Sequence, residues 1–469
     1  MEINITDEKY FPDVMEIVKL FEPFPDDVDA QLNINYSINC ENEENSVINV
    51  SYKLLDKVTE QSNSYSNKLY NFRTLLKIAV YDCLSSHYQK QLPWGALTGI
   101  RPTKLCYDML KQGENWPALP RLLNERYRVS KEKANLAVEV IFNQKNLEIA
   151  DNLVDLYINI PFCTTRCSYC SFISAEIDKV KEFITPYVDS LIKEIQATLQ
   201  IIYENYYWVK SIYIGGGTPT SLPPEQLDRL LDSIVLPNKV NEFTVDAGRP
   251  DTITAEKLEI LKKHGVTRIS VNPQSFNDEV LKRIGRNHTA METLEKYRLA
   301  RKYDFDINMD LIAGLPKETL KSFKENVNIA LTLEPENITI HSLSLKRASE
   351  FAQKNVDIFK KSLAEKMIDY AHGEIIKSGY KPYYLYRQKN QAGNLENVGY
   401  YKDDKKCIFN IDSMEEHASI LACGANAISK RVFLKENRIE REANVKDIPS
   451  YINRIDEMIE RKKSLFKKI

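Results

Sequence analysis

Three cysteines, Cys163, Cys167 and Cys170, fall within eight residues of the stretch "PFCTTRCSYCSF" (161–172). Thiols spaced this closely bind metal. A structural zinc site needs four ligands, often as C-x-x-C pairs. Here the spacing is C-x3-C-x2-C, no fourth Cys or His stands nearby, and the next histidine is His264. An iron–sulfur cluster is held by Cys thiolates, usually four for a [4Fe–4S] cluster. Three thiols leave one iron without a protein ligand. An open position on a metal can bind a substrate, as catalytic zinc sites do. The residues therefore point to a cluster with one open iron. Three unrelated thiols on a loop are the plain alternative, and the place of the loop in the chain argues against it.

That place is set by the surrounding pattern. The loop directly follows the first of six short apolar runs: "VDLYINI" (154–160), "KSIYIGG" (210–216), "NEFTVDA" (241–247), "VTRISVN" (266–272), "FDINMDLI" (305–312) and "NITIHSL" (337–343). Helical periodicity lies between them, for instance over 223–234, 254–264, 291–303 and 317–333. Alternation at this spacing predicts parallel strands joined by right-handed crossovers. Six such units make a partial α/β barrel or an open doubly wound sheet. In both, ligands bind at the carboxyl ends of the strands, where the cysteine loop begins.

The flanks differ from this core. Residues 31–54 alternate around the polar turn "ENEEN" and predict a hairpin. A helix is expected over 67–90, with further helical pattern over 103–112 and 119–147. Residues 1–150 thus read as an N-terminal α/β unit. The core is placed at 151–348. Residues 349–469 read as an α+β domain with a long helix over 352–378, an aromatic run "KPYYLYRQK", the segment "ILACGANAISKRV" and a charged helical tail.

The totals narrow the function classes. The chain has 469 residues with 64 Lys plus Arg against 66 Asp plus Glu, so it has no broad nucleic-acid or membrane footprint. The first residues are acidic and lack an apolar core, which argues against a signal peptide. No apolar run is long enough to span a bilayer. A cytoplasmic protein is expected. There, eight cysteines are not a disulfide framework. Cys40, Cys83, Cys106, Cys407 and Cys423 stand singly and read as small buried hydrophobes.

The C-x3-C-x2-C loop after the first strand resembles the signature of the radical S-adenosylmethionine (SAM) enzymes. The narrower match is to the oxygen-independent coproporphyrinogen III oxidase-like branch, in its coproporphyrinogen dehydrogenase (HemZ) subgroup. "YINIPFCTTRCSYC", "IGGGTPT", "VDAGRPDTI", "RISVNPQSFNDEVLKRIGRNHT" and "INMDLIAGLP" resemble successive strand-end motifs of that branch. "LPWGALTGIRPTK" and "NITIHSLSLKRAS" resemble the subgroup. The resemblance implies a partial (β/α)6 radical SAM barrel between an N-terminal α/β and a C-terminal α+β domain.

It also implies a [4Fe–4S] cluster on Cys163, Cys167 and Cys170, with one or two SAM molecules. Gly216, Gly217 and Thr218 of the glycine motif are expected to let backbone amides approach the ligand. Asp246, Gln274, Arg286 and Asp310 are expected to hold the SAM ribose and carboxylate, and Tyr157 to stand near cluster and substrate. The implied activity is oxidative decarboxylation of coproporphyrinogen III propionates to vinyl groups, giving protoporphyrinogen IX for heme biosynthesis. A flavodoxin or ferredoxin is the implied electron donor.

The propionates call for cations, with Lys346, Arg347 and Arg387 as candidates, and the "KPYYLYRQK" rings are expected to face the macrocycle. Where the branch commonly has a fourth Cys there is Phe172, and Asn159, Asp246, Cys423 and Asn426 also depart from its pattern. Phe172 favours an alternative, a heme-binding chaperone. Residues 1–150 disfavour it.

Overall fold

The computed structural model describes residues 2–21, 30–38, 45–66, 71–99, 101–170, 175–236, 238–344, 361–388 and 395–467. The chain forms two compact units, Met1–Glu139 and Val140–Ala392 with Glu396–Ile469. Among the described residues, no helix is long and apolar enough to cross a membrane.

The first unit holds a four-stranded sheet in the order β1 (Glu2–Ile5), β2 (Ala30–Ile38), β3 (Asn45–Leu54) and β4 (Lys57–Ser66). The expected hairpin is β2 against β3, antiparallel, with Leu32 opposite Tyr52 and Ile34 opposite Val50. Residues 41–44 of its turn lie outside the described residues. Alternate side chains of this pair pack on α1 (Phe11–Val18) and α2 (Phe72–Tyr88) through Val14, Ile17, Leu76 and Val80. Helix α2 starts where Asn71 accepts the amide of Thr74, the usual task of an Asn at a helix start. Strand β4 has no counterpart in the sequence expectations: "KVTEQSNSYS" is a polar edge strand without apolar alternation. Helices α3 (Pro102–Lys111), α4 (Leu119–Tyr127) and α5 (Lys131–Gln144) follow.

The second unit is built on an eleven-stranded sheet. Six parallel strands follow one another in chain order: β5 (Leu153–Ile160), β6 (Trp208–Gly216), β7 (Glu242–Val245), β8 (Arg268–Ser270), β9 (Asp306–Ala313) and β10 (Asn337–Ser342). They coincide with the six apolar runs. Strand β5 is buried along nearly its whole length, as a strand covered on both faces must be. The crossover helices are α6 (Lys181–Glu204), α7 (Pro224–Asp232), α8 (Ala255–Lys263), the pair α9 (Asp278–Arg283) and α10 (Ala290–Ala300), and α11 (Leu320–Leu333). Threonines set three of their starts. Thr254, Thr289 and Thr319 accept the amides of Lys257, Glu292 and Ser322. Each hydroxyl satisfies a donor the helix cannot use itself.

The sheet does not stop at β10. After α12 (Lys361–Lys377), strands β11 (Lys381–Arg387) and β12 (Glu396–Tyr401) extend it antiparallel beyond β10. Helix α13 (Ile408–Glu415) then leads to β13 (Ser419–Cys423), which pairs parallel with β5 on the other side. Strands β14 (Ile428–Phe433) and β15 (Arg438–Ala443) complete that edge, followed by α14 (Ile448–Asn453) and α15 (Ile455–Leu465). The part of the expected 352–378 helix before Lys361 lies outside the described residues, as do Cys40, Phe172, Lys346 and Arg347.

Helix α13 sits at the amino ends of the strands. Glu242, at the start of β7, accepts the amide of Ile408 at 2.8 Å and the thiol of Cys407 at 3.2 Å. The next residue, Phe409, stacks on Tyr213 (4.6 Å between centroids) and Tyr157 (5.7 Å). The interior under the carboxyl ends is therefore filled with aromatic rings, and the free space lies above them.

Candidate functional site

That space is a cavity of about 310 Å³ at the carboxyl ends of β5–β10. Its wall includes Cys163, Cys167 and Cys170 together with Gly216, Gly217, Thr218, Asp246, Gln274, Arg286 and Asp310. These positions come from separate sequence segments, and the strand ends bring them to one place.

The cysteine loop is held by neighbouring side chains. Arg249 is 3% exposed. It donates to Cys167 Sγ at 3.6 Å, to Thr165 Oγ1 at 2.9 Å and to Asp251 Oδ1 at 3.0 Å. Asp251 in turn accepts from Thr164 Oγ1 at 2.7 Å. The far side of the loop is tied to the end of α9, where Ser168 N donates to Ile284 O at 3.1 Å and Thr165 Oγ1 to Gly285 O at 3.0 Å. These bonds fix a loop that has almost no regular structure of its own. Within "VDAGRPDTI" the motif resemblance points to Asp246 alone. Arg249 and Asp251, an ion pair two residues apart, carry no signal of their own in the sequence.

The glycine motif works differently from expectation. The amides of Gly217 and Thr218 are occupied: both donate at 2.7 Å, to Ile160 O and Phe162 O. A Cβ on Gly217 would run into the Phe162 carbonyl and stand 3.0 Å from Cys163 Sγ. Gly216 has φ +103, and a Cβ there would meet the side chain of Asn159. The missing side chains let the cysteine strand lie directly against β6, so these amides are not left for a ligand.

The polar residues keep some atoms unspent. Asp246 Oδ1, Gln274 Oε1 and Arg286 Nε are buried without a hydrogen-bond partner. Such groups are rare unless something outside the chain satisfies them. Gln274 has φ +63, the left-handed region. It is held there by two bonds to β9, its amide donating to Asp310 O (2.9 Å) and its carbonyl accepting from Ile312 N (3.1 Å). Arg286 donates to Gly248 O at 2.9 Å and to Tyr169 OH at 3.2 Å.

Two carboxyls share the cavity wall. Burial, and then the charge of Asp310, push the Asp246 carboxyl up to about 7. Burial acts the same way on Asp310, but bonds and charge from His341 and bonds from Asn308 and Thr339 outweigh it and leave Asp310 below the usual value. Near neutral pH one acid is thus ionised and the other divided between its two forms. His341 itself, on β10, lines the cavity with its Nε2 3.6 Å from Asp310 Oδ2. It lies inside the sixth apolar run and gives no chemical signal there.

Tyr157 is not on the cavity wall. Its ring is stacked below, on Phe409, and its hydroxyl donates to Asn159 Oδ1 at 3.0 Å. Asn159 passes the link on, from Nδ2 to Ala425 O at 2.7 Å. The residue that departs from the family pattern thereby ties β5 to the loop after β13. Arg387 is a correction. Tyr386 and Gln388 reach the cavity, and Arg387 between them does not, because successive strand side chains point to opposite faces. Its guanidinium is buried, and that burial holds it down at about 10 despite the charge of Glu396. Of the aromatic run only Tyr386 meets the cavity. Tyr383 and Tyr384 are packed in a cluster with Tyr401 and Phe409.

The residues present fit a cluster better than a single ion. Among the described residues, no three His, Cys, Asp or Glu side chains are arranged to hold one metal ion. Three thiols that line one cavity without converging on one point suit ligands to three different irons. The residues that carry these unspent atoms, Asp246, Gln274 and Arg286, line that same cavity.

Comparison with known proteins bears on this site. A family model described as the radical SAM superfamily matches residues 157–330. An oxygen-independent coproporphyrinogen-III oxidase-like protein, HemZ, from Bacillus subtilis is 40% identical over 400 residues, 82% of this chain and 80% of the relative. The heme chaperone HemW of the same organism is 40% identical over 202 residues, 42% of this chain and only about half (52%) of that relative. Among solved structures, the Escherichia coli coproporphyrinogen III oxidase (HemN), described as a radical SAM enzyme, superposes with a TM-score of 0.51 at 22% identity, covering 68% of this chain and 72% of the other.

Proposed function

Because the chain belongs to the radical SAM family of oxygen-independent coproporphyrinogen III oxidase-like proteins, we propose that it oxidatively decarboxylates propionate side chains of coproporphyrinogen III to vinyl groups, in the cytoplasm, as a step of heme biosynthesis. The observation that carries this reading is the extent of similarity. It runs at 40% identity over 80% of the HemZ relative and 82% of this chain, whereas the heme chaperone relatives match at 27–40% identity over 52–76% of their length.

The family uses a [4Fe–4S] cluster and SAM, and when bound these supply an organic radical that takes a hydrogen atom from the substrate. The chain's own residues do the rest. Cys163, Cys167 and Cys170 hold the cluster, and Arg249 offsets charge at the Cys167 sulfur. Asp246, Gln274 and Asp310 accept hydrogen bonds from the SAM ribose and ammonium. Arg286, already pointed by Gly248 and Tyr169, faces the carboxylate, for which a guanidinium is well shaped. Gly216, Gly217 and Thr218 seat the cysteine strand. Tyr157 supports the cavity floor. Strands β11 and β12 bring Tyr386 and Asn397 to the cavity wall on the side left for the substrate, where an organic radical requires water to be kept out.

The heme-chaperone reading has, beside Phe172, one structural observation in its favour. On β9–β12 the described wall includes Ile312, His341, Leu343, Tyr386, Gln388 and Asn397, and no Lys or Arg among the described residues there. A decarboxylase must then clamp its propionates with residues outside the described ones, Lys346 and Arg347 foremost. Replacing both with Gln tests this. Loss of vinyl product with SAM cleavage retained supports the clamp, and unchanged turnover removes it.

A further inference from the structure

Glu318, on the turn between β9 and α11, is a buried acid that the proposed chemistry does not use; it is 3% exposed. An acid just before a helix commonly favours the helix dipole, but this carboxylate is spent elsewhere. Its Oε1 accepts from Ser275 Oγ and from Asn326 Nδ2, both at 2.7 Å. Ser275 directly follows Gln274, and Asn326 lies on α11. Both are buried. Burial pushes the Glu318 carboxyl up to about 7 against these two bonds, so near neutral pH part of it carries a proton and resembles an amide.

The two donors to Glu318 are the side chains that hold the turn after Gln274. Residues 275–277 run from the bridge between Gln274 and β9 to the start of α9, in neither strand nor helix. Buried backbone donors there need side-chain partners. Phe276 N donates to Asn326 Oδ1 at 2.8 Å, and Asn277 N to Ser275 Oγ at 3.2 Å. Asn326 Nδ2 also donates to Ser275 Oγ at 3.0 Å. One carboxyl oxygen thus anchors both partners of the turn. The turn leaves from Gln274 at φ +63, a region that disfavours any residue with a side chain. Two backbone bonds to β9 hold Gln274 itself, and the Glu318 hub holds the chain that must follow from that conformation.

We propose that Glu318 is a positioning residue of the SAM site: through Ser275 and Asn326 it keeps Gln274 in its left-handed conformation, with its side chain on the cavity wall. This rests on the SAM reading of the cavity. Gln274 Oε1 is buried without a partner, so it is an acceptor that a ligand can use. Glu318 is not among the residues lining the cavity, and it acts through Gln274 alone. It also ties the exit of β8 to the exit of β9, the strand that brings Asp310 to the same wall.

The test is SAM affinity by calorimetry on the reconstituted full-length protein, compared at equal iron content. E318A should bind SAM about ten-fold more weakly, as Q274A should, and E318A added to Q274A should cost nothing more. A role in folding alone would act as strongly in the Q274A background as in the unaltered one. E318Q keeps the accepting Oε1 and should stay within about two-fold of the unaltered protein. If E318A does not fold, S275A is measured instead: it removes the donor from the other side and should be equally silent in the Q274A background. Unchanged SAM affinity in E318A, or in S275A where that stands in for it, or a loss that adds in full to that of Q274A, overturns the positioning role. Failure of the unaltered protein to bind SAM overturns the reading it rests on.

Discussion

Arg249 donates to the sulfur of Cys167 at 3.6 Å while its other nitrogens hold Asp251 and Thr165. One buried guanidinium thus joins a proposed cluster ligand to the turn after β7. Arg249→Ala should lower iron and sulfide content after reconstitution. Lost charged hydrogen bonds of about 1.5–3 kcal/mol correspond to roughly ten- to hundred-fold weaker cluster retention. Arg249→Lys should recover only part of it. Metal analysis under chelator challenge checks this, and full retention in the alanine variant would remove the clamp.

The thiols divide into two classes. Replacing Cys163, Cys167 or Cys170 by Ala should each abolish the visible iron–sulfur absorbance. Cys83→Ala and Cys407→Ala should keep it, since Cys83 is packed in the hydrophobic core of the first unit and Cys407 in a core cluster of the second, each with its pKa raised by burial. An absorbance that depends on Cys407 would mean that the centre lies elsewhere.

Two glycines should respond in opposite directions. Gly217→Ala forces a methyl against the Phe162 carbonyl and the Cys163 sulfur. It should destabilise the protein by about 1–3 kcal/mol and impair cluster assembly. Gly373 lies in α12, and beyond the helix's own backbone nothing stands within 4 Å of where a methyl would go. Gly373→Ala should stabilise by about 0.5–1 kcal/mol. Denaturant titration reads both, and equal effects would contradict the packing described.

Much of this arrangement is legible in the sequence. The six parallel strands are, because their apolar runs are continuous and bounded by helix signals. Strand β4 is hidden by its polarity, and β13 because nothing in "ILACG" says that it pairs with β5. The strand-end positions Asp246, Gln274, Arg286 and Asp310 emerge through motif resemblance, and the fold gathers them. Arg249, Asp251 and His341 escape sequence reasoning because each reads singly as an ordinary surface or core residue. The misplacement of Arg387 has a simple origin: the register of β11 against the cavity cannot be read from a run of aromatics that is apolar on both faces.

The pair of acids gives a pH signature. Asp246 keeps its proton up to about 7 in the folded chain, whereas an unfolded carboxyl loses it near 3.8. The ligand-free protein therefore loses stability from this group as pH rises between those values, and no further above them. A cationic ligand with hydroxyl donors favours the carboxylate and draws the proton off. SAM affinity should accordingly rise about three- to ten-fold from about pH 6 to about pH 8 and level off. Asp246→Asn should flatten the profile. A flat profile in the unaltered protein would sever Asp246 from SAM.

Anaerobic product analysis addresses the central claim most directly. The reconstituted protein is supplied with SAM, a reductant and coproporphyrinogen III, and vinyl product and 5′-deoxyadenosine are quantified together. Formation of protoporphyrinogen IX, with SAM consumed in proportion to the vinyl groups made, is the expected result. Heme bound stoichiometrically with no vinyl product would contradict the decarboxylase reading and leave a heme carrier in its place.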